Sequence, residues 1–229
     1  MEDQRAYALI TWRKAGLLRF LGHLDVARTF DRAVRRAHLP VLYSKGFSPR
    51  ASISSADALP VGAAGENELC VIELERPMPD ADLQDLLSPQ MPDGLEVTEV
   101  RILRGRRRGL FSNLSHAEYE AELAPLAGVS TDILAEAVRR VRDAGALPIV
   151  RETKTRTREI DIRPHLYALN VSQPDAEHPG TCLHMSLGYG QDRLVKPSEV
   201  LACIGRQLTE LTGKQIELQP RLLTRLGLC

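Results

Sequence analysis

Several things are missing from this 229-residue chain, and each absence removes a class of function. It has no net charge, since 30 Lys and Arg stand against 30 Asp and Glu. No run approaches twenty apolar residues, so no segment is expected to span a membrane. The first residues, Met1-Glu2-Asp3-Gln4-Arg5, lack the basic and then apolar layout of a secretion signal. The four cysteines (Cys70, Cys182, Cys203, Cys229) are scattered, with no Cys-x-x-Cys, which removes the ligand set of a zinc ribbon or an iron–sulfur cluster. Such spacing fits reduced thiols in a cytoplasm better than a disulfide frame, so a cytoplasmic protein is expected. There is no Gly-rich P-loop, no His-Glu-x-x-His and no Gly-x-Ser-x-Gly elbow. Gly188-Tyr189-Gly190 reads as a turn, and the six histidines are dispersed. No metal and no cofactor are expected. What remains is ordinary globular composition, 43% apolar and 26% charged, in a chain long enough to bury a core.

The zero balance hides position. Residues 1–60 carry ten basic and five acidic side chains, and residues 61–100 one basic and ten acidic. Residues 101–109 hold five Arg (Arg101, Arg104, Arg106, Arg107, Arg108) and no acid, and residues 151–165 five basic against three acidic. Local basic surfaces of this kind bind phosphate even on a neutral chain. The plainer alternative is two solvated faces that offset each other.

Periodicity gives an order of elements. Tyr7 to Trp12 is an apolar, β-branched and aromatic run, read as a strand. In residues 23–37, Leu24, Ala27, Phe30, Val34 and Ala37 recur at steps of three and four, a helix with Asp25 in its first turn, Arg35 and Arg36 in its last, and Pro40 beyond its end. Strands follow at 50–56 and 69–74, a helix at 80–87 and a strand at 95–103. That is the split βαβ, ferredoxin-like order. The second half repeats it loosely: a strand at 116–123, a helix at 131–144, a hairpin from 147–153 and 156–162, strands at 167–171 and 182–187, a helix at 197–211 and a strand at 215–223. The expectation is an α+β protein of two ferredoxin-like halves with antiparallel sheets: 1–104, an Arg- and Gly-rich connection at 105–115, and 116–229.

Three constellations carry possible chemistry. In Phe20-Leu21-Gly22-His23-Leu24-Asp25, His23 is a candidate general base, though i and i+2 do not face each other on a helix, and the plainer alternative is that His23 or Asp25 caps the helix. In Tyr43-Ser44-Lys45-Gly46-Phe47-Ser48-Pro49-Arg50, two aromatics, two hydroxyls, a Lys and an Arg surround a flexible Gly46. Bases stack on exposed rings, and cations and hydroxyls hold phosphate; alternatively Tyr43 and Phe47 fill core. In residues 153–164, Lys154, Arg156 and Arg158 share one strand face that Ile160 and Ile162 continue, and Asp161 and Arg163 close the run. That face suits a sugar–phosphate backbone, or is a charged edge that resists pairing.

Taken together, these motifs resemble the family catalogued as DUF2344, also described as radical-SAM-linked or radical-SAM-associated. The resemblance rests on Arg19-Phe20-Leu21-Gly22-His23-Leu24-Asp25, on Arg32 to Ala37 with Leu39-Pro40, on Tyr43 to Pro49, on Leu59-Pro60-Val61-Gly62 with Glu68, and on Lys154 to Arg158 with Asp161-Ile162-Arg163-Pro164. It spans about residues 5 to 210. Where the family has Pro-x-Pro or Pro-His-Pro after Gly-Phe, this chain has Pro49-Arg50-Ala51, and Ser52-Ile53-Ser54-Ser55 is less apolar than the family's strand. The resemblance implies a radical SAM protein as partner and names no reaction. Three readings stay open: an accessory module that binds RNA or another phosphate-bearing substrate for that partner; a docking module whose acidic 61–100 segment (Glu66, Glu68, Glu73, Glu75) faces the partner; and an RNA-modifying enzyme using His23, Asp25, Tyr43 and Asp161. His23, Asp25, Arg35, Arg36, Tyr43, Ser44, Lys45, Gly46, Phe47, Arg50, Lys154, Arg156, Arg158, Asp161 and Arg163 are the expected contacts of the first.

Overall fold

A computed structural model describes residues 6–105, 109–152, 156–172, 180–190 and 193–229. The chain divides into two compact units, residues 1–113 with 225–228, and residues 114–224 with Cys229.

In the first unit, β1 (Ala6–Lys14) alternates so that Ala8, Ile10, Trp12 and Lys14 are buried on one face. That face packs against α1 (His23–Arg36), whose Val26, Phe30, Ala33 and Val34 are buried, and against Leu83 and Leu87 of α2 (Asp80–Leu87). Trp12 and Phe30 meet edge to face with ring centroids 5.4 Å apart. Each such large side chain contributes about 1.5–3 kcal/mol by leaving water. The strands β2 (Ile53–Ser55), β3 (Ala64–Leu74) and β4 (Leu95–Arg104) complete the sheet in the order β4-β1-β3, with β2 also on β3, and all these pairs are antiparallel. Both β1-α1-β2 and β3-α2-β4 are thus crossovers with another strand inserted, the split βαβ connectivity.

The second unit holds β5 (His116–Leu123), α3 (Thr131–Asp143), β8 (Leu166–Ser172), β9 (Thr181–Gly188), α4 (Pro197–Thr212) and the first residues of β10 (Pro220–Leu228), whose residues 225–228 are counted with the first unit; the strand order is β10-β5-β9-β8. β9 is antiparallel to both β5 and β8. His116 and Cys229 exchange backbone hydrogen bonds of 3.1 and 2.9 Å. Between α3 and β8 lies a separate hairpin of β6 (Pro148–Glu152) and β7 (Thr157–Asp161). Without that hairpin the element order is the same as in the first unit. The protein is therefore α+β, with antiparallel sheets. Among the described residues no helix is long and apolar enough to cross a membrane.

Three local expectations need correction. β3 starts at Ala64, not at residue 69: Glu68 in its middle is buried against a counter-ion, so the strand runs on through a charged position. The closing strand starts at Pro220, not at 215. Gly213, at φ 67°, ends α4, and 214–219 runs irregularly beneath it: Ile216 N–H donates to Thr209 Oγ1, and the Ile216 carbonyl lies 2.9 Å from where a Cβ on Gly205 would sit. Neither His23 nor Asp25 caps α1: its N-cap is Gly22, with no side-chain bond.

Candidate functional site

The 43–51 loop is tied at its base and free at its tip. Tyr43 and Ala51 form an antiparallel bridge, Ser44 N–H donates to the Arg50 carbonyl at 2.8 Å, and Arg50 N–H donates to Ser44 Oγ at 3.0 Å. Helix α1 supports it. Asp31 Oδ1 accepts from Ala51 N–H at 2.8 Å, and the same carboxylate holds Arg35 through Nε at 2.9 Å and through Nη2. Arg35 also donates to the Pro49 carbonyl and lies over the Tyr43 ring, 4.6 Å from its centroid. Burial alone would raise the Asp31 carboxyl, but the Arg35 guanidinium and the Ala51 N–H outweigh it and hold the group below its ordinary range.

This arrangement separates residues that the sequence left together. Tyr43 is half-buried and packs against the core, whereas Phe47 is fully exposed, with Lys45 and Arg50 exposed on either side of it. Gly46 between them has φ 141°, a conformation that side chains disfavour. Arg36 turns elsewhere: it donates to the side chain and carbonyl of Gln90, behind α2. His23 and Asp25 are exposed, and Asp25 pairs with Arg28 at 3.1 Å.

The 154–163 residues belong to the second unit. Lys154 lies outside the described residues, as do Arg106, Arg107 and Arg108. Arg156 and Arg158 are exposed, with Arg158 opposite Arg151 across the hairpin. Arg151 is held by Glu199 at 2.7 Å. Asp161 and Arg163 tie the chain to itself: Asp161 Oδ1 accepts from Leu147 N–H at 2.7 Å and Arg163 N–H at 3.0 Å, and Arg163 donates to the Ala144 and Leu166 carbonyls. The Leu147 N–H, then the Arg163 N–H, draw the Asp161 carboxyl below its ordinary range.

One constellation escaped the sequence reading. Arg225, with no exposed side-chain area, donates from Nε to Glu68 Oε1 at 2.8 Å and from Nη2 to Glu68 Oε2, while Nη1 reaches Asp57 at 2.9 Å. Buried Lys14 donates to the Leu21 carbonyl at 2.9 Å, and burial, opposed by Glu68 and aided by Arg225, lowers its pKa. The signals present were the phase of Lys14 with Ile10 and Trp12, and of Glu68 with Cys70 and Ile72. Nothing local marked Arg225 as their partner, 157 residues from Glu68.

The fold and these sites define an antiparallel α+β protein with a cationic, aromatic-tipped loop. The chain belongs to the family described as an uncharacterized protein conserved in bacteria, DUF2344, whose model matches residues 8–197. No curated protein matches it. Among solved structures it is similar to a chain of an archaeal box H/ACA sRNP Nop10–Cbf5 complex, at 14% identity and a TM-score of 0.44, covering 98% of this chain and 48% of that one. A second is a chain of a Cbf5–Nop10–Gar1 complex, at 12% identity and a TM-score of 0.48, covering 95% and 47%. The chain thus spans about half the length of these structures.

Proposed function

We propose that the protein is an accessory module that binds single-stranded RNA in the cytoplasm and works beside a radical SAM enzyme. The observation that carries the RNA reading is the 43–51 loop, with its base braced by Asp31 and Arg35 and its tip presenting Phe47 between Lys45 and Arg50. An exposed ring offers a stacking face to any base, worth about 1–3 kcal/mol per base, and flanking cations meet the phosphates. A rigid base lowers the ordering cost of binding. Arg158, exposed on β7, is a further cation suited to a phosphate backbone. The radical SAM partnership rests on the family resemblance of the Arg19–Asp25 and Tyr43–Pro49 motifs.

The test compares wild-type protein with Phe47→Ala and with a Lys45→Ala/Arg50→Ala pair, by fluorescence anisotropy with a labelled RNA of mixed sequence. Both variants should weaken binding at least tenfold while leaving the melting temperature unchanged. Full binding by both variants would refute the loop as the contact. Co-purification with the radical SAM protein of the same cell tests the partnership, which fails if neither protein retains the other.

A further inference from the structure

A second site lies in the first unit, on residues the 43–51 loop does not use. Trp12, Lys14, His23, Val26, Ser55, Asp57 and Leu59 line a cavity with about 10 Å³ of free space, room for one polar group of the size of a water. Two of its features, Trp12 and Lys14, are costly for a wall with no ligand, and the partly exposed Asp57 adds an open acceptor beside them. The Trp12 indole is 4% exposed, and its Nε1–H has no hydrogen-bond partner among the described residues. An unmade bond at such a buried donor costs about 1–3 kcal/mol. Lys14, 1% exposed, uses one of its three protons on the Leu21 carbonyl. Asp57 spends Oδ2 on Arg225 and keeps Oδ1 as an acceptor.

The backbone makes space for this cluster. Lys14 and Gly65 are paired across β1 and β3, and a Cβ on Gly65 would come within 2.7 Å of the Glu68 side chain that Arg225 grips from the other side. The charges then cancel: Lys14 and Arg225 against Glu68 and Asp57. An incoming phosphate or carboxylate would upset that balance, and a neutral group would not. The wall asks its ligand for an acceptor, to satisfy Trp12 and Lys14, next to a donor for Asp57. The segments that line the cavity also run into exposed apolar residues, with Phe20 and Leu24 flanking His23 and Val61 following Leu59.

We propose that this cavity takes the carbonyl oxygen of a neutral cyclic amide, which accepts from Trp12 and Lys14, while the ring N–H outside the cavity donates to the partly exposed Asp57. Two sources share that chemistry, a free small molecule and a nucleobase within a nucleic acid. Trp12 is the chain's one tryptophan, so a single indole N–H signal in a proton–nitrogen NMR spectrum reports the site. The wild-type protein is titrated with 2-pyrrolidone, with uracil, with a hexauridylate, and with acetate and inorganic phosphate as charged controls. A saturable downfield move of the indole signal with the free amides supports the site and names a small molecule as its source. The same move with hexauridylate alone supports it with a base in RNA as the source. No saturable move with any amide, or an equal move with acetate or phosphate, overturns it. Asp57→Asn should weaken the response about tenfold, and the wild-type titration decides the matter should that variant fold poorly. Phe47→Ala should leave the indole response intact, so failure of this site and failure of the RNA-binding loop are read separately.

Discussion

Two arginines of the first unit are held in nearly the same way and placed in opposite surroundings. Arg35 grips Asp31 at the surface, with 42% of its side chain exposed, and braces a loop whose tip is solvated. Arg225, with none of its own side chain exposed, grips buried Glu68 and partly exposed Asp57. The bidentate geometry is shared, but its worth is set by water. At the surface a pair gives about 0–1 kcal/mol and serves to position the loop. In the interior the same pair cannot lose a member without stranding a charge, and the cluster around it leaves an indole N–H unused. Burial thus separates a surface brace from a buried cluster whose members depend on one another.

The largest effect expected from breaking this contrast is at Arg225. Arg225→Ala should cost about 3–5 kcal/mol in denaturant unfolding, because Glu68 is left buried and unpaired. Arg225→Met with Glu68→Leu should cost much less than the two single changes summed; additive losses would show that the pair is not coupled. Next comes Gly65→Ala, where the added methyl meets the pinned Glu68 side chain, with a loss of about 1–3 kcal/mol in the same assay. Asp31→Ala should cost about 1 kcal/mol and speed amide exchange at Ala51, whose acceptor is removed. The pH dependence of that brace has a definite sign. The folded Asp31 carboxyl lies below its ordinary value of 3.8, so its contribution is complete above that value and is lost as pH falls below it. Exchange at Ala51, corrected for intrinsic rate, should be flat from pH 7 to 5 and rise only in stronger acid; a rise near neutrality would contradict the brace. The smallest effect on stability is that of Phe47→Ala, within about 0.5 kcal/mol of wild type, since the ring touches solvent.

Much of the fold was legible because it rests on local period. Helices 80–87 and 23–36, and strand 116–123, follow from the spacing of their apolar residues and from Pro79 or Pro40 beside them, though in 23–36 the buried stripe starts at Val26 and leaves Leu24 exposed. The βαββαβ order followed from those elements alone. What local pattern could not carry was pairing across long separations. The strand at 69–74 stops short of Glu68 until Arg225 supplies the counter-charge, and 215–219 reads as a strand until Gly205 brings helix and chain close together. At the loop, residue types were visible but not their division of labour. Whether Tyr43 or Phe47 turns inward depends on the Arg35 guanidinium over one ring and not the other. Asp161 and Arg163 looked like part of a charged face, yet their backbone hydrogen bonds spend them on the turn after β7.

The most direct measurement is the affinity of the wild-type chain for single-stranded RNA as a function of salt. The account predicts that log affinity falls linearly with log salt, with a slope of about −0.7 for each phosphate met by Lys45, Arg50 and their neighbours. The slope should become shallower in Lys45→Ala/Arg50→Ala and stay unchanged in Phe47→Ala, which loses affinity by stacking alone. Absence of binding at about 50 mM salt, or a slope that the Lys45 and Arg50 changes leave untouched, would contradict it.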